Sequence, residues 1–361
     1  MTQAATFQLE MTRFIRAPRE KVFDAFTHQD ALAAWHCPRG MHVSDVSADA
    51  RVGGRYRIVM AARDGSAFVV AGEYQALDRA DFLAYTWSWE RGAMAPDRIT
   101  LIEVTLMARE GGTALHMRHT GFPDAFMRDG HMAGWQSVFN HLTDYLDPAG
   151  SAGSLTLIGD PRSSYCRTVR MALAEKGVAY TLQPAPPSSA EVLAANPFGR
   201  IPVLRDGEFE FYETRAILGY IDESFDGPSL LPAGGAWARA RGEQWVSVIN
   251  SYVYDTMVNR YIRPCTRASG AHGEPDRAAI DAALPDIDRQ LAVFEQAYGG
   301  LDFLVGGSPS MADFMLAPIL FHLERFPEGA ALLGKYPQVR RAQAVMRERE
   351  SFIATQPKPG G

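Results

Sequence analysis

The stretch Asp147-Pro-Ala-Gly-Ser-Ala-Gly-Ser154 most constrains how this chain folds, because small, flexible residues there interrupt periodic apolar sequence on both sides. At 361 residues the chain also exceeds what one hydrophobic core usually organises. Together these divide it near residue 150. The expectation is a first domain over 1–147, a linker over 148–154, and a second half that subdivides into 155–230 and 237–355.

Charge and composition narrow the classes. The 36 basic against 42 acidic side chains leave a formal charge of −6, which argues against electrostatic binding to nucleic acid. No run approaches the ~18 uncharged apolar residues of a membrane span. The opening MTQAATFQLEMTRF lacks the basic start and apolar stretch of a secretory signal, so a cytoplasmic location is expected. Cys37, Cys166 and Cys265 are odd in number and far apart. They encode neither a disulfide framework nor a zinc site, and no metal is expected.

In the first half, Phe7, Leu9 and Met11 alternate as in a half-buried strand, and Ala17-Pro18 opens an amphipathic helix carrying Val22, Phe23 and Phe26. From Arg55 to Met117 the pattern is of strands broken by turns, with Asp64-Gly65 and Gly111-Gly112 as hairpin signals and Leu83, Tyr85, Trp87 and Trp89 at period two. Residues 124–146 give a closing helix with Met127, Trp135, Phe139 and Leu142 on roughly one face. A sheet wrapped around a helix predicts an α+β helix-grip domain with an apolar hollow. Trp35, Trp87, Trp89 and Trp135 are candidates to line that hollow or to fill it. His116 and His119, three apart in a strand, point to opposite faces and make no metal pair. No third group is evident that would orient His36 beside Cys37, so neither is given a catalytic role.

The segments FIRAPREKVFDAFTHQDALAAWHCPRG, RVGGRYRI, DGSAFVVAGEY, YTWSW and HMAGWQSVFNHLTDYL resemble the START-like (SRPBCC) family of heat-shock-protein-90 ATPase-activator homologues, over nearly all of residues 7–147. The resemblance implies the fold and a possible hydrophobic ligand, and it leaves function open, because this superfamily includes ligand binders, cyclases and chaperone cofactors.

The second half opens with an apolar run, Leu155 to Ile158, then a turn and an amphipathic helix from Cys166 to Lys176, with Gly177 as its C-terminal stop. Val178, Tyr180 and Leu182 alternate as a second strand. Ile201-Pro202-Val-Leu starts a third, the Asp206-Gly207 turn leads to Phe209 and Phe211, and Glu213-Thr214 caps a helix over Arg215 to Ser224. The order is thioredoxin-like. From Trp237 onward only helical periodicity remains.

The segments RSSYCRTVRMAL, NPFGRIPVL, FYETRAI and SPSMADFMLAP, in this order, resemble the cytosolic glutathione transferases, in a zeta- or theta-like flavour, over about 200 residues. The resemblance implies glutathione as co-substrate, a homodimer, and a serine at the start of the first helix that hydrogen-bonds the glutathione sulfur, here Ser163. It makes Ile201-Pro202 the family's cis-proline step and Ser310 with Asp313 a structural N-capping box.

The chemistry agrees with that assignment. A free thiol is mostly protonated at neutral pH, and a helix N-terminus carrying a hydroxyl donor stabilises its anion. Ser163 is the candidate, with Ser164 and Cys166 as alternatives, although Cys166 lies about one helical turn deeper. Tyr165 matches the tyrosine used by other classes poorly in position. The main chain at Ile201-Pro202 is expected to pair with the cysteinyl backbone of glutathione, Glu213 and Thr214 to hold its γ-glutamyl end, and Arg200 to meet its glycine carboxylate. Trp245, Tyr252, Tyr254 and Tyr261 are candidates to line the second-substrate pocket. The expected function is conjugation of glutathione to an apolar electrophile. The alternatives are a non-catalytic glutathione-fold binding module joined to a chaperone- or lipid-binding domain, or a Cys166-dependent thiol-disulfide reductase.

Overall fold

The computed structural model describes residues 7–91, 98–147, 155–207, 209–266 and 275–357. The chain forms two compact units, Met1–Ser154 and Leu155–Gly361. The linker expected at 148–154 lies outside the described residues.

The first unit is a seven-stranded antiparallel sheet closed by helices. Its elements are β1 (Phe7–Ile15), α1 (Arg19–Thr27), α2 (Gln29–Trp35), β2 (Met41–Ala48), β3 (Arg55–Ala62), β4 (Ala67–Asp78), β5 (Phe82–Arg91), β6 (Thr100–Arg109), β7 (Gly112–Phe122) and α3 (Ala125–Leu146). The sheet order β1-β7-β6-β5-β4-β3-β2 is a meander whose first strand pairs with its last. Asp124 starts α3 by accepting the Met127 N–H at 2.8 Å. Sequence pattern missed α2 and β2. In β2 the partly buried Met41, Val43, Val46 and Ala48 alternate, but the register shifts between Val43 and Asp45 and interrupts the period.

The expected hollow is filled by rings. Trp35 and Trp135 are buried, with Trp35 donating to the Ala25 carbonyl at 2.8 Å and Trp135 to His119 Nδ1 at 3.1 Å. Trp87 packs against Trp135 with ring centroids 5.0 Å apart. The void beside His36, Tyr56, Tyr74 and Tyr85 measures about 10 Å³, room for about one water. His119 is buried and bonded to Thr100 Oγ1 at 2.7 Å, whereas His116 faces Glu10 on the other side of the sheet.

The second unit begins with a four-stranded sheet of order β11-β10-β8-β9. Its elements are β8 (Leu155–Ile158), α4 (Ser164–Glu175), β9 (Thr181–Gln183), α5 (Ala190–Ala195), β10 (Val203–Asp206), β11 (Phe209–Tyr212) and α6 (Thr214–Ser224). β8 and β9 are parallel and the other pairs antiparallel. The strand expected from Val178 is confined to three residues, and the short α5 was not anticipated. A helical part follows: α7 (Gly235–Val248), which runs on into a π-helix over Ile249–Ile262, then α8 (Arg263–Thr266), α9 (Arg277–Tyr298), α10 (Met311–Leu323), α11 (Pro327–Gly334), α12 (Pro337–Arg347) and α13 (Glu350–Ala354). One apolar cluster joins both parts, running from Leu157, Val169 and Ile217 to Ile249, Leu291 and Phe314.

At the start of α10, Asp313 is buried. Its Oδ2 accepts from the Ser310 N–H and hydroxyl, each at 2.8 Å, and its Oδ1 from the Leu304 N–H at 2.9 Å. Arg167 on α4 is fully buried between Phe321 and Phe352, its guanidinium 3.9 Å from the Phe352 ring centre. It donates to the Phe352 carbonyl at 3.0 Å and so ties α13 to α4.

Candidate functional site

The loop Gly159-Asp-Pro-Arg-Ser163 leads from β8 into α4, and its shape is set by Asp160. That carboxylate accepts from the Arg162 N–H at 2.8 Å and from the Arg162 guanidinium at 2.9 and 3.0 Å. Ser163 then takes the N-cap position, and its Oγ accepts the Cys166 N–H at 3.4 Å. Cys166 is buried against Gly159, where a Cβ would come within 2.4 Å of its sulfur. Burial pushes the Cys166 thiol up to about 12, the opposite of what an attacking thiolate needs. The Cys166 side chain packs in the interior. Ser164 is also buried, whereas Ser163 is only half-buried.

The second feature is the loop from Asn196 to Pro202. Asn196 is buried, its amide nitrogen donating to the Arg200 carbonyl at 2.9 Å while its side-chain oxygen accepts the Phe198 N–H at 3.0 Å. This fixes the approach to the cis Ile201-Pro202 bond. Ile201 lies before the first ladder residue, Val203, which pairs with Ile158. Among the described residues nothing bonds to the Ile201 main chain. The role of Asn196 was missed in the sequence, although its place before Pro-Phe-Gly was a signal.

The third feature is the entry to α6. Glu213-Thr214 was expected to cap a helix from Arg215, but α6 starts at Thr214 and the cap position is Glu213, which makes no side-chain cap bond. Glu213 has φ 70 and ψ 113, a conformation that costs a non-glycine residue about 1–3 kcal/mol. It also turns the glutamate outward, while Thr214 is buried. The charge of Glu213 reaches the Tyr165 hydroxyl, whose pKa is raised chiefly by burial and by Tyr254.

A cleft of about 550 Å³ brings some of these groups together. Asp160, Ser163, Ser164, Arg200 and Ile201 form its thioredoxin-like wall, and Tyr254, Val258, Ile262, Arg263, His322 and Arg325 its helical wall. Pro202, Glu213 and Thr214 are not part of that lining. Of the four aromatics proposed for the pocket, only Tyr254 lines it, stacked on Tyr165 with centroids 4.3 Å apart. Trp245 packs on Phe294, Tyr252 is exposed, and Tyr261 is buried, its oxygen accepting the Gly329 N–H at 2.9 Å. Tyr254, Val258 and Ile262, spaced four residues apart along the π-helix, line the cleft from one side.

Family models match three stretches. They are described as Activator of Hsp90 ATPase homolog 1-like protein over residues 16–147, Glutathione S-transferase, N-terminal domain over 157–229, and Glutathione S-transferase, C-terminal domain over 277–341. Glutathione S-transferase hmp2 of Hypomyces subiculosus is 31% identical over 173 residues, covering 45% of this chain and 77% of its own length. The chain belongs to the glutathione S-transferase family. This family member carries, ahead of its transferase-like unit, a helix-grip unit of the Hsp90-activator type. The Stringent starvation protein A homolog of Pasteurella multocida is 25% identical, covering 57% of this chain and 91% of its own. A solved glutathione S-transferase-I bound with lactoylglutathione is 26% identical with a TM-score of 0.50, over 56% of this chain and 98% of its own.

Among the described residues no cluster of three or more His, Cys, Asp or Glu is arranged to hold a metal, and no helix is long and apolar enough to cross a membrane.

Proposed function

We propose that the second unit is a glutathione transferase in which Ser163 stabilises the glutathione thiolate for attack on an electrophile in the cleft. The observation that carries this reading is that Ser163, at the N-terminus of α4, lines the same cleft wall as Ile201, whose main chain is unpaired. The tripeptide fits these groups. Its cysteinyl backbone pairs with Ile201, which sets the sulfur before the positive end of α4. The N–H groups at the start of α6 take the γ-glutamyl carboxylate with Thr214, Glu213 draws the ammonium, and Arg200 meets the glycine carboxylate. The structure titled with bound lactoylglutathione supports a glutathionyl ligand in a relative of this fold.

The test combines calorimetric titration of glutathione, thiolate absorbance of the complex at neutral pH, and turnover of a generic aryl halide. Binding with absorbance and turnover supports the enzyme. Binding without either supports the second reading, a non-catalytic module, which is favoured by relatives whose name, Stringent starvation protein A homolog, states no transferase activity. A Cys166-dependent reductase is disfavoured by the burial of that thiol.

For the helix-grip unit the proposal is a hydrophobic ligand admitted only when the rings that fill its interior move aside. A homodimer and a cytoplasmic location belong to the same reading. Native mass spectrometry of the protein purified from its own cells tests subunit number and any retained ligand together.

A further inference from the structure

We infer that the electrophile taken by this cleft carries an anionic group, such as a carboxylate, on an apolar or aromatic body. The inference rests on the transferase reading above and names the class of its second substrate. On the helical wall, Tyr254, Val258 and Ile262 offer an apolar face, and Arg263 and Arg325 lie beside it. Among the described residues the only carboxylate in the lining is Asp160, and three bonds from Arg162 already engage it. Among the described residues, Arg200, Arg263 and Arg325 make no ion pair with a carboxylate, whereas several other arginines of this unit do, as in Arg205–Glu210, Arg215–Glu243, Arg260–Asp286 and Arg349–Glu175.

Unpaired guanidinium groups gathered around one concave surface repel each other and focus a positive potential there, and an anion relieves both. Arg200 adjoins Ile201 and is taken up by glutathione in the proposed binding mode. Arg263 and Arg325 stand on the opposite wall and remain for the second substrate. The planar forks of these arginines suit a carboxylate. His322, in the same lining, has a buried Nε2 with no partner, and burial with the nearby Arg325 charge holds its ring neutral. Among the described residues of the lining, the positive field therefore comes from the arginines.

The test uses a matched pair, a para-chloro-dinitrobenzoate and the corresponding carboxamide. In both, the thiolate sulfur forms a bond to the ring carbon, chloride leaves with the bonding pair, and the thiol proton passes to solvent. With rates corrected for the uncatalysed reaction, kcat/KM is expected to favour the carboxylate by about ten-fold or more, the scale of one charge-assisted hydrogen bond. Arg263→Gln combined with Arg325→Gln should bring the ratio to about one. Calorimetric binding of the two glutathione conjugates provides a readout that needs no catalysis. Turnover of both substrates at equal efficiency overturns the inference and leaves the transferase reading standing. No turnover of either, with a ten-fold tighter carboxylate conjugate, overturns catalysis and leaves the anion selectivity. Failure of both conjugates to bind overturns the two together.

Discussion

The Cys166 N–H donates to the Ser163 Oγ at 3.4 Å, so the hydroxyl proposed to hold the thiolate is already oriented by the helix that it caps. A hydroxyl that accepts from the backbone keeps its own proton to donate. Ser163→Ala should leave glutathione affinity nearly intact, raise the pKa of the bound thiol, and lower the rate at neutral pH by about 10–100-fold, the equivalent of one hydrogen bond to a charged group. The loss should shrink as pH rises, because the thiol then ionises without help. Cys166→Ala should instead cost about 1–2 kcal/mol of stability with little change in rate, as for a packed small side chain. The reverse pattern in a pH–rate profile of the two variants would return Cys166 to the centre of the chemistry.

At the other end of the tripeptide, Thr214 is buried at the first position of α6. Thr214→Val keeps its shape and deletes its hydroxyl, so glutathione should bind more weakly by about 1–2 kcal/mol with the fold unchanged. Calorimetry that returned wild-type affinity would remove Thr214 from the site.

What the sequence disclosed and what it hid divide along a physical line. Period-two and helical patterns found β5, α3 and α4, because apolar residues recur at strand or helix spacing along a buried face of each. β2 was hidden because a bulge between Val43 and Asp45 breaks its alternation in two. Ser163 and Ile201 were legible because local chain order brings them to a helix start and a strand start. The helical wall was not, since helical spacing alone does not separate aromatics that fill the core from those that face a cleft, and of four candidates only Tyr254 reached it. Arg167 was illegible for another reason, as the carbonyl that it binds lies 185 residues away.

That buried arginine carries a stability prediction. Arg167 packs its stem and guanidinium between Phe321 and Phe352 and donates to the Phe352 carbonyl. Arg167→Ala leaves a cavity and an unpaired carbonyl, and should cost about 3–5 kcal/mol. Arg167→Met fills most of the volume and removes the need to bury a charge, so its cost should be less than half as large. Denaturant unfolding of the two variants, with hydrogen exchange over α13, separates packing from charge; equal losses would mean that the hydrogen bond dominates.

Asp313 makes a comparable contribution in the helical part. It satisfies the N–H groups of Ser310 and Leu304 in a buried setting. Asp313→Ala orphans both donors and breaks the capping box that Ser310 opens for α10, so a loss of about 2–4 kcal/mol is expected. Asp313→Asn keeps an acceptor and should lose less. A thermal melt showing both variants at the wild-type midpoint would mean that the box is dispensable.

Buried histidines set the response to acid. Burial lowers His36 from 6.5 to about 4, and His119 is driven down as well, first by burial and then by the nearby His131. Each is held neutral in the folded chain and gains a proton when the chain unfolds. As pH falls from about 6.5 towards 4, the unfolded state binds protons that the native state does not, so the first unit loses stability by up to about 1.4 kcal/mol per pH unit for each such histidine. In the second unit, His322, lowered to about 4, acts with the same sign, whereas Asp313, raised by burial, opposes it above its ordinary 3.8. Urea midpoints followed by tryptophan fluorescence at pH 7 and near pH 5 should therefore fall on acidification. His36→Leu should flatten that slope while leaving the pH 7 midpoint near or above wild type, because it replaces a buried nitrogen that has no partner with an apolar group. A slope that His36→Leu leaves unchanged would show that the ring takes up protons alike in the folded and unfolded chain.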